Sequence, residues 1–150
     1  MLENLRSVEN TASIFRTAEG FGVSKIILVG TTPTPIDRFG RKRQDFAKVS
    51  LGAEDMVIWE YVGSENLQLT IYNLQEQGFQ IIALEQTPKS KDLKSLSKPD
   101  KFALIVGNEV TGVSKEALDT SDIVAEIPML GEKESLNVSV AAGVALFVLL

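Results

Sequence analysis

The 150-residue chain contains no cysteine and no histidine. Without thiols it can form no disulfide, no thiolate nucleophile and no thiolate metal site, and without imidazole it lacks the commonest general base and metal ligand. Ser-His-Asp and Cys-His chemistry and histidine-bearing zinc sites are therefore excluded. A cysteine-free composition fits a reducing compartment, and a cytoplasmic location is the expectation. Positive charge is also short: 15 Lys+Arg against 20 Asp+Glu leave a net charge of −5. That balance opposes strong nonspecific binding to polyanions, which depends on neutralising phosphates. The first thirty residues hold no uninterrupted apolar stretch, because Glu3, Arg6, Glu9, Arg16 and Glu19 break it, so no secretory leader is expected there. Only Val138–Leu150 is uncharged and almost wholly apolar, and its thirteen residues are too few to cross a bilayer. It reads as a buried helix. Its greasy end, Phe147-Val148-Leu149-Leu150, leaves apolar surface unless a second subunit covers it or the natural chain continues.

What is present is an ordinary globular composition, 44% hydrophobic and 23% charged, of a length that suits one domain. Asn10–Phe21 has helical apolar spacing and closes at Gly20 and Gly22, ahead of a buried strand over 25–29. Phe46–Gly52 reads as a short helix, Val57–Val62 as a strand, and Ser64–Gln77 as a helix capped by Ser64 and ended at Gly78. Phe79–Leu84, Phe102–Val106 and Ile123–Ile127 are apolar strands, and Ser114 is placed to cap a short helix through Leu118. Pro88–Pro99 reads as an exposed loop with a short helical turn. The strands are mostly apolar where a half-exposed sheet would alternate, which reads as both faces covered, so alternation with helices predicts an α/β fold with a mainly parallel sheet flanked by helices.

In open parallel sheets ligands collect beyond the carboxyl ends of the strands. The loops after Leu84, Val106 and Ile127 carry Glu85-Gln86-Thr87, Gly107-Asn108-Glu109-Val110-Thr111-Gly112 and Pro128-Met129-Leu130-Gly131, the last followed by Ser135-Leu136-Asn137. None matches a Walker or dinucleotide fingerprint. Each alone is a strand-ending turn as readily as a site.

Taken together, Asn10–Ala18, Ile105–Ser114 and Ile127–Met129 with Ser135–Ala142 resemble, in order, the three motifs of the SpoU/TrmH RNA methyltransferases. The resemblance runs from Asn10 to the last residue. It implies a SPOUT-type fold with a C-terminal trefoil knot, a homodimer built on the last helix, S-adenosyl-L-methionine as cofactor, and methyl transfer to a ribose 2′-hydroxyl of RNA, tRNA ahead of rRNA. No metal is required. Asn10 and Arg16 match the first motif, Asn108 and Glu109 the second, Ser135 and Asn137 the third. The expected catalytic set is Asn10, Arg16, Glu109, Ser135 and Asn137; expected cofactor contacts are Leu84, Gly107, Asn108, Ile127, Met129 and Leu136.

A guanidinium stays protonated, so Arg16 is expected to orient the ribose and stabilise developing oxygen charge, with the proton leaving to phosphate, water or a carboxylate, for which Glu109 is the available one. The structural alternatives are a helix arginine paired with Glu9 or Glu19, helix capping by Asn10, Ser135 and Asn137, and a solvated turn acid at Glu109. Thr11-Ala12 departs from the small hydrophobe and glycine that many relatives carry there. The first motif begins at Asn10, so one catalytic domain over 1–150 is expected, without a separate N-terminal RNA-binding domain. RNA contacts are then expected from the basic cluster Arg38, Arg41, Lys42 and Arg43 with Phe39 beside it, for which a solvated loop is an equal reading. The rival function is a catalytically inactive RNA-binding or assembly module on the same fold.

Overall fold

The computed structural model describes residues 1–150. Seven parallel strands form one sheet: β1 (Leu2–Glu3), β2 (Lys25–Val29), β3 (Ile58–Val62), β4 (Gln80–Leu84), β5 (Lys91–Asp92), β6 (Phe102–Val106) and β7 (Ile123–Glu126), in the order β3-β2-β1-β6-β4-β7-β5. The helices are α1 (Val8–Gly20), α2 (Gln44–Ser50), α3 (Ala53–Met56), α4 (Leu67–Glu76), α5 (Lys115–Thr120) and α6 (Val138–Leu149). No helix is long and apolar enough to cross a membrane.

Because successive side chains point to opposite faces and both faces are covered, the central strands are apolar on both sides. Ile26 and Leu28 of β2, Ile82 of β4, and Leu104 and Val106 of β6 join a core with α1, α2, α3 and α6. Their neighbours Ile27, Val29, Ile81, Ala83 and Ile105 point to the other face, against Leu67 and Ile71 of α4 and Ala117 of α5. Phe15 and Phe46, both fully buried, meet edge to face with centroids 5.2 Å apart and tie α2 to α1.

Several local expectations shift. Ser7, not Asn10, caps α1: its side chain accepts the Asn10 amide, which leaves the Asn10 side chain free for another use. Ser64 opens a single 3₁₀ turn over 64–66 ahead of α4 and makes no side-chain cap. Ser114 does cap α5, which continues to Thr120. The loop after Thr87 carries its helical turn, Leu93–Ser95, capped by Asp92, behind the two-residue β5. The strand that sequence periodicity cannot show is β1. Two residues long, it joins β2 to β6 through the pairs Leu2↔Leu28 and Leu2↔Val106.

Chain order and sheet order differ in a way that sets the site. The chain lays β1, β2 and β3 toward one edge, starts again with β4 and β5, then returns to insert β6 between β1 and β4 and β7 between β4 and β5. The carboxyl ends of β4, β6 and β7 are thereby neighbours, paired Leu84↔Val106 and Leu84↔Ala125.

Phe46→Ala should remove one half of the Phe15 contact from a sealed core. The expected loss is about 3–5 kcal/mol in the free energy of unfolding, read from urea denaturation; a loss under about 1 kcal/mol would show that the contact carries little of the α1–α2 packing.

Candidate active site at the carboxyl ends of the strands

A cleft of about 400 Å³ opens where β4, β6 and β7 end. Ten of the eleven residues expected to act in catalysis or cofactor contact line it: Asn10, Leu84, Gly107, Asn108, Glu109, Ile127, Met129, Ser135, Leu136 and Asn137. The eleventh, Arg16, does not. A second cavity of about 680 Å³ lies at the opposite strand ends, where β1 leaves β2 and β6 unbridged, and none of the expected site residues borders it.

The cleft is built from three interlocked turns. Past β6, the Asn108 and Gly112 backbones bond to one another in both directions (3.0 and 2.9 Å), and Asn108 Oδ1 accepts the amides of Val110 and Thr111 at 2.8 and 3.0 Å. Gly107 is required by space: a Cβ there would stand 2.3 Å from the Gly112 backbone. Gly112 is required twice over, by φ +72° and by the Glu85 carboxylate, 2.1 Å from where a Cβ would be. Asn108 Nδ2 also donates to the Asn4 carbonyl at 2.7 Å, and Asn4 is itself left-handed at φ 53°.

Asn10 joins the first turn to the others. Its Nδ2 donates to Glu109 Oε1 (3.0 Å), and its Oδ1 accepts from Asn137 Nδ2 (3.0 Å). Asn137 Oδ1 in turn accepts the Ser139 amide and hydroxyl, so Asn137 caps α6 while reaching Asn10. Glu109 additionally accepts the amides of Arg6 and Ser7 at 2.9 and 3.1 Å. Partial burial alone would push its carboxyl up, but these donors outweigh that effect and hold it below the usual carboxylate range. A carboxylate so depressed is a weak proton acceptor. Its evident work is to fasten the segment before α1 to the turn after β6.

Arg16 follows Asn10 by six residues, about 9 Å of helix and about 120° around it, so the two side chains leave α1 in different directions. Arg16 is exposed and forms no ion pair, with Glu9, Glu19 or any other acid. Next to it, Thr17 lies against α6, its Cγ2 being 3.5 Å from where a Cβ on Gly143 would be.

The basic cluster is separated from the cleft and largely spoken for. Ile36 and Lys42 bridge to close a turn in which Arg41 pairs with Asp37 at 2.7 Å. Arg43 forms a two-point contact with Asp45 at 3.1 and 2.6 Å, and Lys42 Nζ lies 3.0 Å from Glu54 and 2.5 Å from Asp55. Arg38 has no acidic partner; its guanidinium sits 4.7 Å from the centroid of the exposed Phe39 ring. Glu85 and Gln86, from the loop after Leu84, and Val110 and Gly112, from the loop after Val106, also line the cleft without being among the expected site residues, and the first two prove the more consequential. The signal was a polar triplet starting where an apolar strand stops.

The model of the SpoU rRNA methylase family matches residues 1–147. The chain belongs to that family. Among the curated relatives of this SpoU-family chain are the 23S rRNA (guanosine-2′-O-)-methyltransferase RlmB of Neisseria meningitidis, 33% identical over 97% of this chain and 55% of its own length, and the tRNA (guanosine(18)-2′-O)-methyltransferase of Borreliella burgdorferi, 30% identical over 100% of this chain and 64% of its own. The chain thus spans between half and two thirds of these relatives. Of solved structures, an AdoMet-bound rRNA methyltransferase from Sinorhizobium meliloti superposes with a TM-score of 0.84 at 27% identity, over 99% of this chain and 53% of that one. The A. aeolicus TrmH/SpoU tRNA modifying enzyme gives 0.83 at 28%, over 99% and 71%.

Because the Glu109 carboxyl is held below its ordinary range in the folded protein, ionisation there stabilises the fold above that range, and the contribution disappears as pH falls through the depressed value. Glu109→Gln should therefore lower the denaturation midpoint at neutral pH, and its deficit should shrink on acidification toward about pH 3. A deficit independent of pH would remove the charge from the explanation.

Proposed function

We propose that this chain transfers a methyl group from S-adenosyl-L-methionine to a ribose 2′-hydroxyl of RNA, as the catalytic domain of an enzyme that works as a homodimer. The observation that carries the reading is the meeting of all three motifs in one cleft through Asn137–Asn10–Glu109.

The lining fits the cofactor chemically. Leu84, Ile127, Met129 and Leu136 offer apolar walls for an adenine, and the only charged residues along the cleft are the acids Glu85, Glu109 and Glu126. An acidic wall favours a cation over an RNA phosphate, and the volume is that of a small-molecule site. Bound there, S-adenosyl-L-methionine supplies a methyl group carried on a positively charged sulfur. The chain itself has to hold the ribose oxygen in line with that methyl and accommodate the charge that develops on the oxygen. Asn10 and Asn137 fix the cleft's rim, and Ser135 stands on the same rim with an exposed hydroxyl. Since the Glu109 carboxylate is engaged by three donors, the proton is assigned to solvent or to an RNA phosphate.

Arg16, which does not line the cleft of its own protomer, is assigned to the cleft across an interface. On α6, Val140, Val144 and Phe147 recur at helical spacing and are 51%, 37% and 72% exposed, and the ring of Phe21, just past α1, has its centroid 6.4 Å from that of Phe147. That apolar stripe, on the helix that Thr17 lies against, supports a two-fold dimer that buries α6 and carries each Arg16 guanidinium toward the other protomer's cleft. RNA contact is assigned to Arg38 and the Phe39 ring, with Arg41, Lys42 and Arg43 shaping the turn that presents them. The same reading takes the C-terminal segment through the loop after β4 as a trefoil knot; the Gln86 bond to the Glu134 carbonyl and the packing of α6 against Leu93 support it.

Calorimetry should show saturable binding of S-adenosyl-L-methionine, and the protein should methylate RNA from cells that lack its gene. Arg16→Ala should abolish methylation while leaving cofactor affinity nearly intact. Full methylation by that variant would refute the role of Arg16, and absence of cofactor binding by the native protein would favour an inactive RNA-binding module. Mixing Arg16→Ala with Asn137→Ala protomers should restore activity, since one cleft of the mixed dimer regains both groups; no recovery would place Arg16 in its own protomer's site. Mapping the new 2′-O-methyl marks identifies tRNA or rRNA as the substrate.

A further inference from the structure

Pro128–Leu136 supplies Met129, Ser135 and Leu136 to the cleft, yet no backbone–backbone hydrogen bond involves any of its nine residues. Leu130 is 97% exposed, and the segment crosses from β7 to α6 without regular structure. One hydrogen bond fastens it: Gln86 Nε2 donates to the Glu134 carbonyl at 2.9 Å. The base of that donor is held just as specifically. Glu85, one residue earlier, accepts the Gln86 amide through Oε1 and the Val113 amide through Oε2, both at 2.9 Å, and fills the space over Gly112. Two consecutive side chains leaving β4 thus grip the other two cleft turns, Glu85 the one after β6 and Gln86 the one after β7.

We propose that Gln86 is a positioning residue for cofactor capture. Its carboxamide keeps the 128–136 strap where Met129 and Leu136 face Leu84 across the cleft, so that an adenosyl group enters a formed slot and does not have to order the strap itself. The assignment rests on the methyltransferase reading for the identity of the ligand, and on the hydrogen-bond pattern alone for the strap. A donor lost from a solvent-accessible site weakens binding modestly, because water replaces part of it and the entropy of ordering the strap returns.

Gln86→Met keeps the length and bulk and removes the donor. In the full chain it should weaken binding of S-adenosylhomocysteine, measured by calorimetry, about two- to tenfold. It should raise KM for the methyl donor to a similar extent and leave kcat at saturation unchanged. Tryptic cleavage after the exposed Lys133, followed by mass spectrometry on ligand-free protein, should become faster while the thermal midpoint stays put. Gln86→Ala should repeat the pattern, so that a misfolded single variant cannot decide the matter. Native cleavage rate at Lys133 in Gln86→Met overturns the proposal whether or not any cofactor binds. So does unchanged affinity alongside a native protein that binds normally, or a fall in kcat equal to the rise in KM. Failure of the native protein to bind the probe would instead strike the methyltransferase reading, and the proteolysis result would still stand as the judge of the latch.

Discussion

The amide of Asn10 is the point on which the cleft depends. It donates to a carboxylate 99 residues away and accepts from an amide 127 residues away, so one side chain closes two loops that span most of the chain. An amide suits the place because it carries a donor and an acceptor on one rigid plane, whereas a side chain with only donors or only acceptors could serve one neighbour but not both. The long closures are affordable because the sheet has already brought the ends of β4, β6 and β7 together. What remains for Asn10 is to set direction over a few ångströms.

Charge is deployed locally against the overall acidity. The cleft is lined by three acids and no base, whereas the basic residues of the 37–43 turn are mostly consumed by Asp37, Asp45, Glu54 and Asp55. A cationic small molecule and a polyanionic chain would thus meet different parts of the surface. Arg16 and Arg38 form no ion pair, and the Arg38 guanidinium sits over the Phe39 ring.

Much of the layered architecture could be read from residue patterns. The strands over 25–29, 80–84 and 102–106 are almost wholly apolar, with only Lys25 and Gln80 at their first positions breaking the pattern, and such runs suit a sheet covered on both faces. The gripping residues were less legible. Glu85 and Gln86 read in the sequence as a strand-ending turn as readily as a site, since nothing in a local window says that their partners will be Val113 and Glu134. The basic cluster was half legible: four cations within six residues read equally as an RNA surface or a solvated loop, and only folding places acids from α2 and α3 beside Lys42 and Arg43.

Local sequence determined what depends on neighbours along the chain: which segments are strands or helices, which turns need glycine, and which chemistries are impossible without thiols or imidazoles. The three motifs, being ordered residue types, were also visible there. Tertiary structure decided what depends on the order of strands in space. The two-residue β1 exists only because β2 and β6 flank it, Glu109 became an anchored acid only because the start of α1 lies against it, and Arg16 was turned out of the cleft by helix geometry. Those outcomes are set by contacts between residues a hundred positions apart, and no local pattern encodes which side chains such contacts will spend.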